Sequence, residues 1–211
     1  MNGFTSEYEF AEKLSPEERD NICRIIGKFA HTTKRRIQID QFFANEFLDT
    51  LSKKIGYEFA DIKLLELAIT HKSADSKSNN ERLEFLGDAI LSTVVSEHLY
   101  TKFPYQKEGL LTRMRSHLVK GDTLTRIAYN LELTNFIKLS KGTANLSSDR
   151  KQSILEGVVE AIIGAVMLDS NWETSKKFVL KPNLSALAKA SSVVPVLAHS
   201  SLNFINSLFF S

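Results

Sequence analysis

Residues 153–169 (Ser-Ile-Leu-Glu-Gly-Val-Val-Glu-Ala-Ile-Ile-Gly-Ala-Val-Met-Leu-Asp) constrain the fold more than any other stretch. Read as a helix, the segment is apolar nearly all round, and such a helix must be covered on every side by the rest of the chain. Strand-like alternation is scarce, so the expected fold is all-α with this helix at its centre. Two residues break the apolar character, Glu156 and Glu160. A carboxylate on a buried helix needs a partner, and another segment must bring one.

Residues 79–91 (Asn-Asn-Glu-Arg-Leu-Glu-Phe-Leu-Gly-Asp-Ala-Ile-Leu) bring more acid. As a helix from Asn79, this stretch and its continuation place Leu83, Leu86, Ile90 and Val94 on one apolar face. Glu81, Glu84 and Asp88 fall at i, i+3 and i+7 on an acidic ridge with no lysine between them. At about 6 Å and an effective dielectric of about 20, each adjacent pair costs roughly 3 kcal/mol. Such a ridge is either fully solvated, where most carboxylates lie, or it carries a cation. A cation facing Glu160 as well would satisfy both helices. Clustered carboxylates favour a hard divalent ion, Mg²⁺ or Mn²⁺, over Zn²⁺. No Cys/His zinc spacing, glycine-rich phosphate loop or Ser-His-Asp set competes with this reading.

The remainder is organised around these two helices. Residues 1–50 read as a helical extension. Ser15-Pro16-Glu17-Glu18 starts a helix striped by Ile22, Ile25, Ile26 and Phe29. Lys34-Arg35-Arg36 reads as a basic loop, and a second helix from about Asp40 buries Phe42, Phe43, Phe47 and Leu51. The main domain is expected over 51–182. Its parts are a helix at 63–70, a polar loop at 73–80 and the acidic helix to about Tyr100. A helix from Glu108 follows, then one from Thr123 capped by Asp122, then a loop from Leu139 to Arg150. Arg113, Arg115 and Lys120 are candidate phosphate contacts, although arginines two apart do not share a helix face. Net charge is only +2, so contact with nucleic acid must rest on local patches. A single cysteine excludes an internal disulfide and fits a reducing compartment. With no signal-like N-terminus and no long apolar run, the expected location is intracellular, cytoplasmic or nuclear, without a membrane span. Residues 183–211 form an apolar tail, and its 191–211 part has no lysine or arginine.

The run Asn80-Glu81-Arg82-Leu83-Glu84-Phe85-Leu86-Gly87-Asp88 closely resembles the signature of the ribonuclease III family. Ile55-Gly56-Tyr57 and Thr70-His71-Lys72-Ser73 are similar to further family segments. The resemblance implies an all-α endonuclease domain that cuts double-stranded RNA as a homodimer with Mg²⁺, for which Mn²⁺ can substitute. It implies 5′-phosphate and 3′-hydroxyl ends with 3′ overhangs. Glu84, Asp88 and Glu160 are the implied metal ligands, with Asp88 and Glu160 catalytic. Glu81, Glu108 and Glu156 are further candidates, Glu108 matching a family acidic position. Phe85 matches an aromatic knob that inserts into the partner subunit. His71 is expected to satisfy backbone groups rather than act as a base.

Two departures stand out. The family writes the second acidic helix A-D-x-x-E-A, and alignment on Val159-Glu160-Ala161 puts Gly157 where the Asp belongs. A water could fill the place, Glu156 could reach in from about 100° around the helix, or cleavage could be lost. Only 29 residues follow Pro182, too few for a double-stranded-RNA-binding domain. RNA affinity would then be weaker or supplied by a protein partner. The alternative to an enzyme is a non-cutting relative serving as an RNA-binding or ribosomal structural protein.

Overall fold

The computed structural model describes residues 33–140, 142–143 and 147–181, with Ser15, Glu17 and Arg24 as isolated positions. Apart from those three positions, of which Glu17 and Arg24 are helical, the expected helix from Ser15 through Phe29 lies outside the described residues, as does the tail at 183–211. The chain divides into two compact units, residues 1–47 and 48–211. The boundary falls inside helix α1 (Thr33–Ile55). This helix starts seven residues before the expected Asp40. Nothing between Thr33 and Asp40 breaks a helix, and the basic residues there are good helix formers. Lys34-Arg35-Arg36 is therefore helical, not a loop. In the second unit Leu48, Leu51 and Ile55 recur at i, i+3 and i+7 and are buried. Gly56 ends α1 at φ 70°, its N–H bonding the Ser52 carbonyl at 3.0 Å. A glycine takes that left-handed turn without steric cost.

The second unit is all-helical among the described residues. Helix α2 (Ile62–Ala68) is capped by Asp61, whose carboxylate accepts from Lys63 N–H at 3.1 Å. Then come α3 (Glu81–Lys102), α4 (Glu108–Leu118), α5 (Gly121–Asn130), a 3₁₀ turn (Leu133–Asn135), α6 (Ser148–Asp169) and α7 (Trp172–Val179). Helix α3 starts at Glu81, where the expected polar loop at 73–80 ends. Asn79 and Asn80 instead serve its entry: Asn79 Oδ1 accepts from Glu81 N–H at 3.1 Å, and buried Asn80 donates from its side chain to the Ala68 carbonyl at 3.3 Å. Helix α5 starts at Gly121 with Lys120 in the cap position, so Asp122 sits in its first turn rather than at the cap. Helix α6 starts five residues before Ser153, shortening the expected loop.

Helix α6 is central. Leu155 and every residue from Gly157 to Val166 are buried. It packs along α3, and against α5, α2 and α7, while α4 lies chiefly on α3. The α3–α6 crossing is set by two glycines. A Cβ at Gly87 would stand 1.7 Å from the Glu160 carbonyl oxygen, and one at Gly164 would stand 2.3 Å from that of Leu83. Neither distance is compatible with a side chain, so the two backbones touch here. That contact fixes the register that sets Glu84 and Asp88 beside Glu160. No helix among the described residues is long and apolar enough to cross a membrane.

Candidate active site

The first two turns of α3 and the first half of α6 border a cleft of about 640 Å³. From α3 it receives Glu81, Glu84, Phe85 and Asp88; from α6, Arg150, Ser153, Ile154 and Glu160. His71, Lys72, Asn80 and Thr143 complete the wall. That wall is held by a parallel bridge between Thr70 and Lys138, in which His71 N–H donates to the Lys138 carbonyl at 3.1 Å and Lys138 N–H donates to that of Ile69 at 2.8 Å. His71 Nδ1 accepts from Ser73 N–H at 3.1 Å and lies 2.9 Å from Ser73 Oγ. Burial, helped by Lys72, pushes the imidazole below its ordinary value. His71 thus satisfies a local turn, the role read from the sequence.

The acids of the cleft differ in setting. Glu160 is only 9 % exposed. Burial first, then Asp88, Glu156 and Glu84, pushes its carboxyl up to about 8. Glu84 is raised by burial and by Glu81, against the lowering effect of Lys72. Glu156 is raised by burial, Asp122 and Asp88. Among the described residues the carboxylates of Glu84, Asp88, Glu156 and Glu160 make no hydrogen bond or ion pair. Glu81 differs, lying 2.8 Å from Lys72 Nζ. A buried carboxylate costs stability unless something positive faces it. The donor set is all oxygen and fits a hard divalent cation. As the side chains stand, no three acids or histidines among the described residues close on one point. Gathering them takes side-chain rotation on backbones that already border one cleft.

The other sequence candidates fall elsewhere. Glu108 lies on the exposed first turn of α4, accepting from Thr112 Oγ1 at 2.7 Å, and does not line the cleft. Arg113 Nε donates to the Gly109 carbonyl at 3.2 Å, and Arg115 donates to Ser96 Oγ on α3 at 3.0 Å. Lys120 pairs with Asp122 at 2.5 Å. None of these three cations lines the cleft. Gly157 does face the acids: a Cβ there would stand 2.7 Å from Glu84 Oε2. Glu156 points instead toward α5, its Oε2 2.6 Å from where a Gly121 Cβ would be. Phe85 is 81 % exposed at the cleft, so it is not a core residue. The sequence reading missed Lys72 and Arg150 as cleft residues. It also missed Gly87, whose signal was available: a glycine inside a helix is costly and marks a close approach.

Together the fold and cleft define a class: an all-helical domain whose two central helices cross at glycines and present acids to a shared opening. The sequence model of the Ribonuclease-III-like family matches residues 61–187. The chain belongs to this family. Ribonuclease 3 of Marinomonas sp. (strain MWYL1) is 51% identical over 130 residues, covering 62% of this chain and 57% of that protein. Ribonuclease 3 of Vibrio vulnificus (strain CMCP6) is 46% identical over 151 residues, covering 67% of each. The match thus spans about three-fifths to two-thirds of these curated relatives. Among solved structures, a nuclease domain of ribonuclease III from Campylobacter jejuni superposes with a TM-score of 0.62 at 41% identity, covering 68% of this chain and 97% of that one.

Proposed function

We propose that this protein is an endoribonuclease that hydrolyses double-stranded RNA with a divalent cation, Mg²⁺ or Mn²⁺, and works as a homodimer. The catalytic domain in this reading is 51–182. The observation that carries it is the Glu160 carboxylate, buried, without a hydrogen-bond or ion-pair partner among the described residues, and facing Asp88 and Glu84 across one cleft. Family membership and the similarity to a ribonuclease III nuclease domain support the same reading.

Glu84, Asp88 and Glu160 are the residues that would hold the cation, with Glu81 at the rim. When bound, a divalent cation activates water and neutralises charge at a phosphate. The chain's own part is positional. The α3–α6 contact keeps Asp88 and Glu160 on facing helices. Burial makes the anionic form of Glu160 depend on positive charge beside it, so cation binding and loss of its proton go together. Recognition of an A-form duplex rests on shape, phosphate and 2′-hydroxyl contacts. The products would carry 5′-phosphate and 3′-hydroxyl ends with 3′ overhangs.

The test is cleavage of a long RNA duplex with Mg²⁺ and with Mn²⁺, beside a DNA duplex of the same sequence. RNA alone should be cut, and Glu84→Gln or Asp88→Asn should lower the rate by at least about a hundredfold. Gly157→Asp should raise it severalfold, because the new carboxylate enters beside Glu84 and only the flexible end of Glu84 has to yield. A non-cutting role draws on the bare backbone at Gly157. Failure of both metals to support cleavage at high protein concentration would establish that role instead.

A further inference from the structure

The cleft is lined by four carboxylates, Glu81, Glu84, Asp88 and Glu160, and by two permanent cations, Lys72 and Arg150. One divalent ion would cancel the surplus negative charge and leave no net attraction for a phosphate backbone. Attraction must then come from where the two cations stand. Arg150 is exposed and makes no hydrogen bond or ion pair among the described residues. Lys72 pairs with Glu81 at 2.8 Å, but the two side chains are 61% and 54% exposed. An ion pair that open to water contributes little to holding either side chain in place. It is easily traded for a phosphate, whose charge-assisted bonds to Lys or Arg are stronger. The cations of α4 and its C-terminal edge are placed differently: Arg115 donates to Ser96 on α3, and neither it nor Arg113 nor Lys120 lines the cleft.

We propose that Lys72 and Arg150 are the phosphate contacts that seat the RNA strand in this cleft, and that Lys72 reaches the phosphate by releasing Glu81. This rests on the reading of the protein as a ribonuclease for duplex RNA. It adds a linkage: the same event that holds the strand frees Glu81, an acid at the metal-binding rim. Arg150 has no such tie and contributes to seating alone.

The experiment uses the full chain and a fluorescently labelled blunt RNA duplex in EDTA, with anisotropy followed over a range of salt. Lys72→Ala and Arg150→Ala should each weaken binding about 5- to 10-fold and flatten the logarithmic salt slope by about one. Arg113→Ala should do neither. Lys72→Arg should restore binding, since either cation can meet a phosphate. Calorimetric titration with Mn²⁺ alone tests the exchange: Lys72→Ala should bind Mn²⁺ several-fold more tightly, while Arg150→Ala should match wild type. Thermal melts confirm that each variant is folded. Equal Mn²⁺ tightening in both variants would reduce the exchange to a general field effect and overturn it. Wild-type affinity and slope in both alanine variants, or a larger loss in Arg113→Ala, would overturn the contacts while leaving the nuclease reading intact. A wild-type chain that neither binds an RNA duplex nor cuts it with Mg²⁺ or Mn²⁺ would remove the nuclease reading and this inference together.

Discussion

At the scale of single residues, Glu160 carries a testable cost. Its ordinary value is 4.5, and burial holds it at about 8 in the folded chain. Between those values the folded state keeps a proton that the unfolded state has released. Stability without a divalent ion therefore falls as pH rises through this window. Glu84 and Glu156, also raised, tilt the slope the same way. Glu160→Gln should flatten the slope and raise the melting temperature near pH 8 by about 2–8 °C, corresponding to about 1–2 kcal/mol. Mg²⁺ should raise the wild-type melt and leave the Gln variant nearly unmoved. Calorimetric scans from about pH 5 to pH 8, with and without Mg²⁺, check this. Indistinguishable wild-type and variant melts would show that the carboxylate bears no such cost. The acids themselves were legible, because helical spacing puts Glu81, Glu84 and Asp88 on one ridge whatever surrounds them. Lys72 and Arg150 were not. They lie far apart in the chain and come to one cleft through packing and the Thr70–Lys138 bridge, which no local spacing reveals.

At the scale of helices, periodicity revealed which segments are helical but not where they begin. Helix α6 enters at Ser148 with no side-chain hydrogen bond at its cap, and α5 does the same after Lys120. Without a capping side chain the start is decided by what the first turn packs on, and that information is distant in sequence. Helix α2, which Asp61 does cap, was placed within a residue at its start. The α3–α6 crossing is the element-level feature most sensitive to change. Gly87→Ala would force a methyl group toward the Glu160 carbonyl. Overpacking of this kind should cost about 3 kcal/mol, or roughly 6–12 °C in melting temperature. Cleavage should fall further than stability alone explains, because separating the helices also moves Asp88 away from Glu160. A thermal melt with a single-turnover rate measured well below the melt checks both. A variant that melts and cuts like wild type would mean the crossing relaxes without loss.

For the whole molecule, the homodimer proposed above makes Phe85 a candidate interface anchor. Its ring is 81 % open to water at the cleft and so is free to meet a second copy. Phe85→Ala should leave the melting temperature of the isolated chain within about 1 °C, since little of the ring is buried. It should weaken self-association by about 30-fold or more if the ring is an anchor. Sedimentation equilibrium over a range of concentrations separates the two effects, and unchanged association would place the interface elsewhere. Residue 160 has a wider consequence. Its carbonyl meets Gly87 while its side chain supplies the buried acid, so shape and, in the nuclease proposed above, reactivity are lodged in different atoms of one residue. In the proposed nuclease, exchange of that side chain would silence the chemistry and leave the scaffold standing. Descendants with the two glycines but without the acids would keep the architecture and be free to take up other work.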